Sequence, residues 1–166
     1  MVEQSRPDVI LLREAVVRHA ADTAGMPATV VDLIAWWHAA CGAQAMPPKT
    51  AVTPESLRRW LGDLSLVERV GDDFRYRVYG TNLAQAAGFD LTGRLMSAAF
   101  PPAVARFYAD QYELVTRERR PLFSLNTRPL HMDVTARTWQ RLVLPLSDVD
   151  GAIGFFLVHV QVVPPT

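Results

Sequence analysis

The chain reads as an α+β domain: a five-stranded antiparallel sheet with helices on one face and N-terminal helices packed outside. Three observations predict it. Leu64–Val70 and Phe74–Thr81 are strand-like runs joined by the short polar turn Gly71-Asp72-Asp73, an antiparallel hairpin. Pro101-Pro102 opens a long helix over about 102–118. Three further strand-like runs, about 122–132, 138–147 and 154–163, close the sequence.

From the N-terminus, residues 8–23 have Val9, Leu12, Val16 and Ala20 on one helical stripe, and Gly25-Met26-Pro27 breaks the pattern. A second helix starts at Thr29, with Thr29 as its cap, and runs to about Cys41. It carries Val30, Leu33, Ile34, Trp36, Trp37 and Cys41, apolar over more than half its circumference, and so needs two apolar surfaces. Thr53-Pro54 opens a third helix over about 54–61 with Leu57, Trp60 and Leu61. These segments divide the chain into an N-terminal helical extension (1–28), a helical lead-in (29–62) and the sheet domain (63–163).

Residues 74–96, FRYRVYGTNLAQAAGFDLTGRLM, run without slack. Phe74, Tyr76 and Val78 alternate with Arg75, Arg77 and Tyr79, the period of a half-buried strand. Gly80-Thr81 stops it, and Thr81 or Asn82 can cap a helix over 82–87. Gly88 closes that helix, Asp90–Gly93 turns, and a short helix follows near 92–98. In the long helix Val104, Phe107, Tyr108, Gln111 and Val115 suit one face, and Glu113 and Arg117 form an exposed i,i+4 pair. The last strand is apolar on both faces, which marks it as central.

Composition bounds the function. The 166 residues are 49% hydrophobic and 20% charged, enough for one packed core. Seventeen basic residues balance seventeen acidic ones, so bulk charge points to neither a nucleic-acid nor an anionic-membrane partner, and zero net charge favours self-association. With one cysteine, Cys41, no intramolecular disulfide forms, and no signal peptide or membrane span is legible; the expectation is a cytoplasmic protein.

Chemistry-bearing residues are sparse. His131 and Asp133 share a strand face at i,i+2, and His159 falls on another strand. Together they could act as acid and base or hold a metal, in an enzyme with a cone-shaped cavity; scattered strand histidines more often have no such role. Asp148-Val149-Asp150-Gly151 resembles the start of a calcium loop, but the downstream glutamate is missing, and a hairpin turn accounts for it. Arg75, Arg77, Arg94, Arg128, Arg137 and Arg141 could grip an anionic ligand bidentately, or line a solvated strand face. Neither a nucleophile elbow nor a phosphate loop is present.

The element order and these motifs resemble the PAS fold, in particular the bacterial stand-alone PAS family. The resemblance is carried by the tryptophan-bearing helix at Trp36-Trp37, the link and strand MPPKTAVTPESLRRWLGDLSLVERV, the 74–96 run, and the later LPLSD, Leu144–Asp148. It covers about residues 30–163. The link departs from the family pattern at Lys49 and Ala51, where arginine and aspartate are usual. The resemblance implies a sensory or protein-interaction module, typically dimeric, with a small cavity between sheet and helices, and not an enzyme. It names no cofactor. A reactive flavin-binding cysteine would fall within 82–98, and a haem-binding histidine within 102–118; neither segment has one.

The expectation is a PAS sensory module, with no output domain attached, that acts through a small ligand, a signalling partner or a dimer interface. The residues expected to face its cavity are Tyr76, Val78, Leu83, Leu95, Phe107, Leu142 and Leu144. A homodimer is expected through the helices at 8–23 and 29–41, whose apolar surface exceeds what one subunit buries.

Overall fold

The computed structural model describes residues 10–16, 23–130 and 133–163, with side chains described within 23–125 and 139–162. The elements are β1 (Ile10–Val16), α1 (Ala28–Cys41), β2 (Leu64–Val70), β3 (Asp73–Tyr79), α2 (Thr81–Ala87), α3 (Met96–Ala99), α4 (Pro102–Glu118), β4 (Leu122–Leu130), β5 (Asp133–Ser147) and β6 (Ile153–Val163). The sheet order is β1-β4-β5-β6-β2-β3, and every neighbouring pair is antiparallel. The five expected strands are all present. β6 lies between β5 and β2, as its two apolar faces require.

The sixth strand is a correction. Residues 10–16, expected within a helix over 8–23, form β1 and pair with β4 from Ile10 opposite Thr127 to Val16 opposite Leu122. ILLREAV fits either period, and pairing there satisfies the backbone groups that β4 would otherwise leave open at the sheet edge. The rest of the expected helix lies outside the described residues.

Alternation along β5 separates two faces. Arg141, Val143 and Pro145 share one with Ser124, Val158 and Phe156, their cross-strand partners, and α4 covers it. Leu142, Leu144 and Leu146 share the other with His159, Leu157 and Phe155. Those three leucines are fully buried, and α1 is the helix that covers them. The Trp37 indole N–H donates to the Pro145 carbonyl at 2.8 Å, fixing α1 on β5. The Trp60 indole donates to Thr29 O at 3.0 Å, which ties the link to the start of α1.

Three helix details differ from expectation. Pro27, not Thr29, precedes the first turn of α1, and no side chain caps it. Residues 54–60 are successive turns ending in a 3₁₀ turn at Leu61–Asp63, not an α-helix. Thr53 Oγ1 does accept the Ser56 N–H, but Trp60 and Asp63 then bond three residues back, which tightens the chain toward β2. Gly80 occupies the cap of α2, and Asn82 instead donates to Asp63 Oδ1 at 2.9 Å.

The 74–96 run folds as one piece. Tyr76 N donates to Arg94 O at 3.0 Å and Gly93 N to Tyr76 O at 2.6 Å, so the turn after α2 returns to the outer edge of β3. Asp90 Oδ1 holds that turn by accepting the Thr92 N–H and hydroxyl, and Gly93 takes φ 84°. Gly80 has an ordinary φ of −60°. It is needed for space: a Cβ there would lie 2.3 Å from Gly62 O and 2.8 Å from Leu64 O.

Candidate functional site

The site lies where α4 crosses the inner face of the sheet. α4 begins at Pro102, and one turn of it presents Tyr108, Gln111 and Tyr112 to the strands, at the i, i+3, i+4 spacing that puts three side chains side by side. β5 supplies Arg141, which is 5% exposed. Its guanidinium donates through Nη1 to Gln111 Oε1 and through Nη2 to the Tyr112 hydroxyl at 2.6 Å. Its carbon centre stands 4.5 Å from the Tyr108 ring and 5.1 Å from the Tyr112 ring. The Gln111 amide nitrogen donates onward to Ser124 Oγ at 3.3 Å.

Aromatic rings fill the space around this network. Tyr112 meets Phe74 and Phe156, each with centroids 4.8 Å apart. Tyr76 meets Tyr79 at 5.5 Å and Phe100 at 6.4 Å, and Phe100 meets Tyr108 at 5.5 Å. Burial pushes Tyr76 well above its ordinary pKa and raises Tyr112, against the opposing pull of Arg141. Tyr79 is pushed up to about 12, by burial first and then by the neighbouring Tyr108 and Asp90.

The expected site residues scatter. Tyr76 and Leu83 are buried, and Tyr76 joins the aromatic layer. Leu95 and Phe107 are half-buried; Leu95 forms an isolated bridge with Arg75, and Phe107 stacks edge-on with Tyr108. Val78 is 51% exposed, contrary to expectation. A bulge sets Val67 opposite Tyr76 but Leu66 opposite Val78, so Arg77 is the extra residue and the phase flips: Tyr79 turns inward and Val78 outward. Leu142 and Leu144 are buried, but on the α1 face, opposite Arg141. An open groove of about 380 Å³ runs beside α4 and α3, floored by Phe74 and Met96; none of the seven residues lines it.

The arginines separate too. Arg141 is buried, Arg75 half-buried, and Arg77 and Arg94 exposed. The side chains of Arg128 and Arg137 lie outside the described residues. Glu113, expected to pair with Arg117, instead accepts from Arg69 at 2.7 Å and joins α4 to β2. Tyr112 was not singled out by the sequence, and Arg141 was not distinguished from the other arginines. The 108-111-112 spacing was the available signal for the helix half of the network.

Of the acid–base set, the structure separates Asp133 from His159. His131 lies outside the described residues. Asp133 starts β5 while His159 pairs with Leu142, nine residues further on, roughly 30 Å along an extended strand. His159 is 1% exposed on the α1 face, and among the described residues neither ring nitrogen has a hydrogen-bond partner. Burial holds its pKa below the ordinary value, with Asp63 opposing. Among the described residues no group of three His, Cys, Asp or Glu converges as a metal site. Asp148 Oδ1 accepts the N–H groups of Asp150 and Ala152, which makes 148–152 the expected hairpin turn. Cys41, half-buried in α1, bonds weakly to Ala45 O at 3.8 Å, so no thiol stands near α2 and α3 for flavin adduct chemistry.

Residues 26–157 match the family model described as PAS domain, and the chain belongs to that family. Among solved structures, the one titled "Flavin Analogue Sheds Light on Light-Oxygen-Voltage Domain Mechanism" matches at TM-score 0.50 and 11% identity, covering 66% of this chain and 83% of that one. The light state of the blue-light photoreceptor Aureochrome1 LOV matches at 0.48 and 12%, covering 68% and 90%. An RNA-binding Light-Oxygen-Voltage receptor matches at 0.46 and 13%; 68% of this chain is covered, but only 33% of that one, so the likeness spans about a third of its length. These similarities are of fold. Comparison with curated protein sequences gives no match. No helix among the described residues is long and apolar enough to cross a membrane.

Proposed function

We propose that this protein is a sensory PAS module that holds a small molecule in the layer between α4 and the sheet and passes its occupancy to a signalling partner or a second copy of the chain. The observation that carries the reading is the buried polar network Arg141–Gln111–Tyr112, set in an otherwise aromatic layer. A core whose only task is stability is better served by apolar residues, because a buried charge is expensive to desolvate. The network joins α4 to β5, so a ligand that changes the partners of the guanidinium changes how α4 sits on the sheet. Differential contacts of that kind are what let a ligand shift a conformational equilibrium.

With residues 10–16 in the sheet, the expected dimer rests on α1, where Trp36 remains half-buried. Native mass spectrometry of freshly purified protein, with an absorption spectrum beside it, tests the ligand reading. A retained small molecule supports it. Bare mass, with no stabilisation by any member of a broad metabolite set, counts against it. Ultracentrifugation at micromolar concentration reads the dimer.

A further inference from the structure

We propose that Arg141 is an anion site and that the ligand of the α4–sheet layer is a small monocarboxylate with an apolar body; the proposal rests on the ligand-binding reading above and specifies its chemistry. Arginine stays protonated in proteins. Among the described residues no carboxylate pairs with Arg141: its partners are an amide oxygen, a phenol oxygen and two ring faces, all neutral. Its cross-strand neighbours are Ser124 and Val160. Of the acids that flank Gln111 and Tyr112 on α4, Asp110 is exposed and Glu113 pairs with Arg69. A phenol ionises only near about pH 10, and burial moves Tyr76 and Tyr112 further up, so neither supplies the missing negative charge.

Among the described residues the layer therefore carries one positive charge with no carboxylate against it. Buried charges are ordinarily paired. A planar carboxylate suits a guanidinium fork, and among the described residues Gln111 and Tyr112 engage two of its five N–H donors. A monoanion matches the single charge, whereas a phosphate dianion would leave excess negative charge among apolar rings. Phe74, Tyr76, Phe100 and Phe156 offer the ligand's body an aromatic surface. The carboxylate shares the guanidinium with the Gln111 amide oxygen or displaces it.

The test titrates the full chain with benzoate and with its neutral counterpart benzamide, by calorimetry and thermal melting, with inorganic phosphate as a third arm. Benzoate is expected to bind at least about tenfold tighter than benzamide and phosphate. Gln111→Glu puts a carboxylate against Arg141 from within the chain; it is expected to raise the melting temperature and abolish benzoate binding. Arg141→Met is expected to remove the preference for the anion. Equal binding of benzoate and benzamide overturns the anion class while leaving the ligand reading standing. Binding of neither, together with bare mass in native spectrometry, removes both. Strand β1 places Glu14 opposite Ser124 in the register. If Glu14→Gln binds benzoate and the unaltered protein does not, the counter-charge comes from the chain itself and the proposal fails. Unchanged stability and retained benzoate binding in Gln111→Glu also overturn it.

Discussion

Replacing Gly80 by alanine tests how tightly the strand-stop after β3 is built. Its φ of −60° suits any residue, so the usual conformational argument for glycine does not apply. The constraint is the approach of two backbones. An alanine Cβ would sit 2.3 Å from Gly62 O, 2.8 Å from Gly62 C and 2.8 Å from Leu64 O, and none of these is a side chain that can swing away. To reach 3.0 Å the chain must open by at least about 0.7 Å in a region packed to crystal density. That strains the Gly80 N–H bond to Leu64 O, now 2.8 Å, and disturbs the first turn of α2, where Ala84 N bonds Gly80 O. Overpacking of about 1–3 kcal/mol and a lost hydrogen bond of about 1 kcal/mol give roughly 2–4 kcal/mol. In a chain of this size that lowers the melting temperature by on the order of 5–15 °C. Urea unfolding followed by tryptophan fluorescence measures it. Gly71→Ala is the control: Gly71 has φ 60° and nothing within 4 Å, so only the left-handed backbone penalty of about 1–2 kcal/mol applies. If Gly80→Ala loses less than Gly71→Ala, the close-approach argument is wrong.

The pH dependence of stability should contain a contribution from His159. Its folded pKa is lowered, chiefly by burial, so the unfolded chain binds the extra proton first; stability is fully present above the ordinary value of 6.5 and falls as pH drops through the folded value. His159→Leu, set between Leu64 and Leu142, should flatten melting temperature against pH below neutrality, and equal slopes for variant and parent would contradict this. Trp37→Phe leaves the Pro145 carbonyl without its indole donor and should cost about 1–3 kcal/mol in chemical denaturation. Leu144→Ala should cost about 2–5 kcal/mol, as a fully buried leucine does, whereas Val78→Thr, on a half-exposed position, should stay within about 0.5 kcal/mol. Similar losses for those two would mean that the bulge does not turn Val78 outward.

The sequence by itself determined the antiparallel hairpin, the long helix with proline at its start, and β6 as a central strand, because these depend on local periodicity and turn chemistry. It carried the family through the 74–96 run, whose Asp90–Thr92 turn and Gly93 fold by contacts within that stretch, while Gly80 is fixed by Gly62 and Leu64 outside it. Tertiary structure decided the rest. Residues 10–16 suit either helix or strand, and the free edge of β4 chose the strand. One bulge residue, Arg77, reversed the faces of Val78 and Tyr79, which a strict period of two cannot show. Arg141 looked like any of six arginines until the register placed it beneath α4 while Leu142 and Leu144 turned toward α1. Which face of a strand a helix covers is set by packing between distant segments, and Arg141, Gln111 and Tyr112 become neighbours only when α4 folds across the sheet.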